Sequence, residues 1–281
     1  MRLIPNYTNY GSVCLMKGEF VEIIWNHYKT NKRSFPWRET QNPYFIFLSE
    51  VMLQQTQTSR VVEKYNEFIE LFPTVTHLAA ADFSQVLTHW SGLGYNRRAK
   101  FLWEAAKQIQ TLHEGKIPHD VTKLDALPGI GYNTAAAILV YAFNTPIAFI
   151  ETNIRRIYIH HFFSHRKLVS DAELLPLIAE TMDRDNPREW FWALMDYGSN
   201  LAKTTTNPNR KSKHYSKQST FTGSVRQVRG SILKLLIANK TLNKSKLKDL
   251  VEGDKAHFDA AVAQLLSEGF IRRKGQNITL Q

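Results

Sequence analysis

The sequence predicts an all-α body with a small α+β module at its C-terminal end, and three observations carry that expectation. Between residues 17 and 200 apolar residues recur at helical spacing, with little strand-like alternation. Over Thr204–Thr222 the apolar residues give way to Thr, Asn, Lys, Ser and Gln. Beyond that stretch, three helical segments precede a short segment that turns near Gly275.

The elements follow in order. Pro43 opens a helix on which Phe45, Leu48, Val51 and Met52 form a stripe. Further helical patterns cover Arg60–Leu71, Phe83–Trp90, Arg97–His113, Thr134–Ala142, Asn153–Phe162, Asp171–Met182 and Arg188–Leu201. Pro73, Gly92, Gly115, Pro128, Pro146 and Pro187 punctuate them. Thr204–Thr222 reads as a linker or extended strap. Val225–Ala238, Lys244–Val251 and Ala256–Glu268 read as three helices, and Phe270–Leu280 as a hairpin. That is the winged-helix order, whose third helix commonly enters a DNA groove; the same order also builds protein-binding modules. The expected organisation is a flexible tail over residues 1–16, a helical body over 17–203, a basic linker over 204–224 and a winged-helix-like module over 225–281. Met1–Leu15 reads as a loose tail or a start-site artefact.

Composition narrows the function classes. A hydrophobic share of 43% over 281 residues is ordinary for a protein with a real core. No uninterrupted apolar run approaches the roughly 18 residues of a membrane span, and the N-terminal apolar run is too short for a secretory signal. The single cysteine, Cys14, excludes an intramolecular disulfide framework and any multi-cysteine metal or cluster site. It is compatible with a reducing compartment. The net charge of +11 is unevenly placed: residues 203–281 hold 16 Lys and Arg against 5 Asp and Glu, and the rest of the chain holds 20 of each sign. A basic C-terminal third on a balanced body points to a polyanion, most simply nucleic acid. A solubilising tail is the plainer alternative.

Leu127–Ala137 (LPGIGYNTAAA) is the sharpest physical motif. Pro128, Gly129 and Gly131 make a tight turn that feeds into a helix opened by Asn133 and Thr134. Glycine lets backbone approach a ligand, and free N–H groups at a helix start suit a phosphate. The same residues also serve a plain helix–turn–helix connection. Gly92–Asn96 (GLGYN) echoes Gly129–Asn133 (GIGYN) at a second helix start.

Helix–LPGIG–helix, followed by a carboxylate beside Asn153 in IETNIRR, resembles the signature of the helix-hairpin-helix (HhH-GPD) glycosylases. FPWR at Phe35–Arg38, NPY at Asn42–Tyr44, SEVMLQQTQ at Ser49–Gln57 and WSGLGY at Trp90–Tyr95 resemble the adenine-glycosylase branch in particular. The match runs in register from Phe35 to Gly198. It implies a two-lobed helical HhH-GPD fold over residues 17–203 and a monofunctional base-excision-repair glycosylase acting on adenine mispaired with 8-oxoguanine or guanine. Two alternatives stand beside it: a mismatch thymine or uracil glycosylase, and a non-catalytic protein that binds DNA structures or lesions.

The chemistry needs two carboxylates, since a purine base must be protonated to leave and an oxocarbenium-like sugar must be stabilised. Glu50 sits on an otherwise apolar helix, where burial would raise its pKa and keep it protonated near neutral pH. Alone it also reads as a surface residue; the resemblance assigns it proton donation at the base and then activation of water. Glu151 takes the second role, at a position where the family normally has Asp, and reaches about one methylene farther. Asn153 is implied to order the site and the DNA backbone. Asn133 stands where bifunctional relatives carry a lysine nucleophile, and an amide forms no Schiff base.

The resemblance extends to the DNA interface. Gln55 matches a wedge that holds open the gap left by a flipped base, with Leu93 and Tyr95 near the opposing strand. Gln55 and Thr56 match positions that examine the opposite base, and Trp37, Arg38, Leu53 and Asp196 match the lining of the adenine pocket. Many relatives carry four cysteines for an iron–sulfur cluster after the position of Ala202; this chain has Thr, Asn, Lys and Arg over Lys203–Tyr215, so neither cofactor nor metal is expected. The domain that relatives use to recognise 8-oxoguanine is unrecognisable here. A basic module takes its place, with Arg226, Arg229, Arg272, Arg273 and Lys274 as candidate phosphate contacts. The expected partner is double-stranded DNA, engaged by a cytoplasmic, nucleoid-associated monomer with no membrane contact.

Overall fold

Prolines and capping side chains set most helix boundaries in the computed structural model, which describes residues 10–217 and 220–281. The helices begin with α1 (Tyr10–Asn31), a 3-10 turn at Pro36–Arg38, α2 (Pro43–Leu53), α3 (Thr58–Leu71), α4 (Val75–Ala80), α5 (Phe83–Trp90) and α6 (Arg97–Leu112). They continue with α7 (Val121–Asp125), α8 (Tyr132–Phe143), α9 (Thr152–Phe162), α10 (Asp171–Thr181) and α11 (Pro187–Thr204). After a 3-10 turn at Pro208–Lys211 come α12 (Val225–Asn239), β1 (Thr241–Asn243), α13 (Lys244–Leu250), α14 (Phe258–Ser267), β2 (Ile271–Lys274) and β3 (Asn277–Leu280). The C-terminal hairpin expected from sequence is β2–β3, and β1 adds to it in the antiparallel order β1-β3-β2.

Three expectations change. The first helix starts at Tyr10 rather than after Met16, because no proline lies between Pro5 and Pro36 to stop it; the rest of the expected tail, Met1–Asn9, lies outside the described residues. Helices α4 and α7 were not expected, yet Thr74 and Asp120 cap them by accepting the N–H groups of His77 and Lys123. The polar strap is ordered over residues 205–217, with Pro208, Asn209 and Ser212 buried. Gln218 and Ser219 lie outside the described residues.

The chain divides into two units. The first comprises residues up to 46, 119–126 and 130–216; the second comprises 47–118, 127–129 and 217–281. Aromatic side chains dominate the core of the first. Phe20 meets Tyr158 at 5.1 Å and Phe149 stacks on Phe191 at 4.3 Å, all four being buried. Burial of side chains this size contributes about 1.5–3 kcal/mol each. In the second unit Phe68 packs edge-on against Trp90 at 6.0 Å. Its C-terminal module is not a loose appendage: Phe270 is fully buried, meeting Phe83 of α5 at 5.6 Å and the Lys100 ammonium of α6 at 5.7 Å. Among the described residues no helix is long and apolar enough to cross a membrane.

Candidate active site and DNA interface

Helix α2 starts on the NPY motif for local reasons: Asn42 Oδ1 accepts the Tyr44 N–H at 3.0 Å, and Pro43 occupies the first helical position. The helix is buried almost all round, with Phe47, Leu48 and Met52 at 0% exposure. Glu50 lies among them at 8% exposure, so the carboxyl expected to act as an acid is indeed buried. At the other end of α2 stands a residue the motifs did not single out. Arg98 of α6 donates from Nη1 to the Val51 and Met52 carbonyls at 3.0 and 2.8 Å, capping the helix C-terminus with positive charge. Its Nη2 reaches Thr56 Oγ1 at 2.8 Å and the Leu93 and Gly94 carbonyls at 3.4 and 3.3 Å. Burial pushes this guanidinium down to about 10, which leaves it charged at neutral pH.

Arg98 thereby joins the QQTQ turn to the GLGYN turn. Each turn presents one non-glycine residue in the left-handed region, Gln55 at φ 55° and Tyr95 at φ 48°, a conformation that side chains of this size adopt rarely. Gln55 is exposed and Tyr95 partly so. Leu93 is only 3% exposed, a correction to its expected place beside the opposing strand: its apolar side chain is packed in the core, and Tyr95 is the more accessible of the two. Thr56 is partly buried on Arg98. Position 98 could have been found in the sequence, because Arg98, Leu102, Ala105 and Ile109 fall on one helical stripe and all are buried.

The hairpin needs its glycine. At Gly129 φ is +74°, and a Cβ there would stand 2.7 Å from Phe101 Cβ. The Gly129 carbonyl accepts Gln54 Nε2 at 3.2 Å. Gly131 caps α8 without a side-chain bond, and Gly129, Gly131 and Asn133 are exposed, with Thr134 partly so, which leaves the start of the helix open to solvent. Asn133 has a further task, accepting the Ile150 N–H through Oδ1 at 3.1 Å, one residue before Glu151.

Glu151 precedes α9 in extended backbone and spends no side-chain bond on capping it. Burial pushes its carboxyl up to about 7 and outweighs the opposing pull of Arg155, whose Nε and Nη2 are both held by Asp171 at 2.7 Å. Asn153 Oδ1 accepts Arg156 Nη1 at 2.5 Å. Gly198 allows α11 to close on this turn, because a Cβ there would sit 2.7 Å from the Asn153 carbonyl oxygen.

In the first unit, Trp37, Arg38 and Asp196 come together. Asp196, 2% exposed, takes both Arg38 amino groups at 2.9 Å and Arg33 Nε at 2.6 Å. Burial alone would raise its pKa, but the Arg38 and Arg33 bonds outweigh it and hold the carboxylate below its ordinary range. Trp37 is 6% exposed and stacks on Phe35 at 5.0 Å. Leu53 belongs to the second unit and is partly exposed at the end of α2.

The basic module divides. Arg272, Arg273 and Lys274 are exposed along β2. Arg226 is partly buried between the rings of Tyr95 and Phe221, 5.6 Å from each. Arg229 is a correction: it is bound to Glu268 at 2.9 and 2.6 Å, so its charge is neutralised inside the protein rather than offered to phosphate. Arg229 and Arg97 together hold Glu268 down to about 2 against the upward push of burial. Replacing Arg272, Arg273 and Lys274 by Ala together should weaken duplex binding and lower the slope of log K against log salt by about 2–3, at roughly 0.9 per phosphate contact. An unchanged slope in a salt titration would remove β2 from the interface.

No thiolate is available where an iron–sulfur cluster would sit, because the only cysteine of the chain is Cys14; the strap offers amides, hydroxyls, amines and the single imidazole of His214, which do not replace a set of thiolates. Among the described residues no group of three or more His, Cys, Asp or Glu is placed to hold a metal ion.

The hairpin glycines, the buried Glu50 on α2 and Glu151 before α9 are the features that the sequence resemblance singles out. The profile of the HhH-GPD superfamily of base excision DNA repair proteins matches residues 48–177. The adenine DNA glycosylase of Mycolicibacterium smegmatis is 31% identical over 90% of this chain and 92% of its own. That of Mycobacterium tuberculosis is 30% identical over 88% of each. Among solved structures, a thermostable thymine-DNA glycosylase is similar with a TM-score of 0.61 and 25% identity, over 67% of this chain and 88% of that one. The chain belongs to the HhH-GPD superfamily and, within it, to the adenine DNA glycosylase family. It is a base-excision-repair DNA glycosylase.

Proposed function

We propose that this glycosylase hydrolyses the N-glycosidic bond of adenine mispaired with 8-oxoguanine or guanine in double-stranded DNA. The observation that carries the reading is the burial of Glu50 on an apolar helix, which shelters from solvent the carboxyl we read as the donor to the leaving base. Glu50 protonates the adenine and then activates water, while Glu151 stabilises the sugar cation. Asn133 offers no amine, so the enzyme hydrolyses without forming a Schiff base. We read the chain as working without an iron–sulfur cluster, which the donor chemistry of residues 203–217 supports, and as a cytoplasmic, nucleoid-associated monomer. A second reading, excision of mismatched thymine or uracil, is favoured by the likeness to the thymine-DNA glycosylase.

Excess enzyme should be incubated with duplexes carrying A, T, U or G opposite 8-oxoguanine or guanine, then treated with alkali. Cleavage at A alone is expected. Cleavage confined to T or U would replace the leading reading by the second, and tight binding with no abasic product would leave a non-catalytic DNA binder. Strand breaks before alkali, with an adduct trapped by borohydride, would contradict the hydrolytic mechanism.

A further inference from the structure

The segment after α11 reads from sequence as a polar linker or extended strap, and within it Asn209 and Ser212 are each only 5% exposed. Burying such polar groups is unfavourable unless they are bonded. Ser212 is bonded within the strap, whereas Asn209 reaches the segment that carries Glu151. Asn209 Nδ2 donates to the Thr152 carbonyl at 3.0 Å. The side chain is rigidly presented, for the Asn209 N–H is held by Asn207 Oδ1 at 3.1 Å and its carbonyl by the Ser212 N–H at 2.9 Å. The turn is pinned in its own right. Val169 N–H donates to the Lys211 carbonyl at 2.8 Å, Lys213 N–H donates to the Val169 carbonyl at 2.9 Å, and the Lys211 ammonium bonds the Ser164 carbonyl.

On the other side of Glu151, Asn133 holds the Ile150 N–H. The two residues flanking Glu151 are thus each gripped by an asparagine, Ile150 at its N–H by the hairpin helix and Thr152 at its carbonyl by the strap. We propose that Asn209 is a positioning residue for Glu151, and that the strap, which lacks the thiolates a cluster needs, serves as a peptide clamp on the active-site turn. The proposal rests on the reading of Glu151 as the sugar-side carboxylate. Glutamate has one more rotatable bond than aspartate, so the backbone beneath it must be fixed more firmly to define where the carboxylate goes. Misplacement by about 1 Å costs up to about 100-fold in rate. A purely structural staple would satisfy both ends of the amide, yet Asn209 Oδ1 is buried with no hydrogen-bond partner. Leaving that oxygen unsatisfied costs stability, as positioned groups at active sites often do.

The test uses the full chain carrying Asn209→Ala. Single-turnover excision should fall about 10-fold, with duplex affinity within about twofold of the parent. Asn133→Ala should act in the same direction, and the double variant should lose less than the product of the two, since both hold one turn. The second readout needs no substrate. The stability difference between Glu151→Gln and its parent, followed against pH, reports the titration of Glu151, and its midpoint should move when Asn209→Ala is introduced. An unmoved midpoint, or a rate within twofold of the parent, overturns the proposal. If the parent excises no base at all, the reading of the enzyme fails while the midpoint still decides the clamp. Should Asn209→Ala not fold, Asn209→Asp keeps size and shape while turning the donor into an acceptor, and carries the same test.

Discussion

Glu50→Gln should abolish detectable base excision, lowering the single-turnover rate by about 10²–10⁴-fold. At 1.36 kcal/mol per decade, that is a loss of about 3–5 kcal/mol of transition-state stabilisation. The substitution is nearly isosteric at a position only 8% exposed, so helix α2 keeps its packing. Arg98 continues to cap its C-terminal carbonyls, and the Gln55 and Tyr95 turns keep the support that holds them. Duplex affinity should therefore remain within about twofold, and the melting temperature should not fall. The prediction is sharp because the two functions separate: Gln presents an amide that cannot release a proton to a leaving purine, whereas every DNA contact survives. A variant with full activity would remove Glu50 from the mechanism. One that bound DNA poorly would show that the carboxyl supports the fold instead.

Sequence periodicity captured the long helices because burial of an apolar stripe is a repeated signal. It missed α4 and α7, each of six residues or fewer, where one or two apolar positions define no period and only the caps Thr74 and Asp120 betray a start. Strand β1 was equally silent, since its three residues pair with β3 across a long stretch of chain. The site divides along the same line. Glu50, Glu151, Asn153 and the hairpin glycines lie in contiguous motifs, which is why sequence alone singles them out as candidates. Arg98 and Asn209 act by hydrogen bonds to backbone carbonyls distant in sequence, which residue types do not announce. The strap misled for that reason as well: a polar composition says that a segment gains little from burying carbon, but not that its amides have found partners. Arg229 shows the converse error, because a basic residue in a basic module counts as a phosphate contact until its carboxylate, Glu268, is located.

Glu151→Gln should move activity and stability in opposite directions. The folded protein holds this carboxyl at about 7 against an ordinary value of 4.5. Between those two pH values the folded state binds more protons than the unfolded state, so stability falls as pH rises through the window. The favourable contribution is fully present below about pH 4.5 and gone above about pH 7. The shift corresponds to an upper bound of about 3 kcal/mol, and the partial solvent access of the side chain brings the expectation nearer 1–2 kcal/mol. Glutamine carries no charge to desolvate. The variant should therefore melt several degrees higher than the parent at pH 8 and with no such advantage at pH 4. Its excision rate should drop by about 100-fold or more, because a neutral amide stabilises a developing sugar cation far less than a carboxylate does. The pH profile supplies the check. In the parent the rate should climb from about pH 6 to about pH 8 as Glu151 ionises, and that limb should vanish in the variant. Parallel loss of rate and melting temperature at pH 8 would assign Glu151 to the fold alone. A stabilised and inactive variant is what a carboxylate held for chemistry at the expense of stability must give.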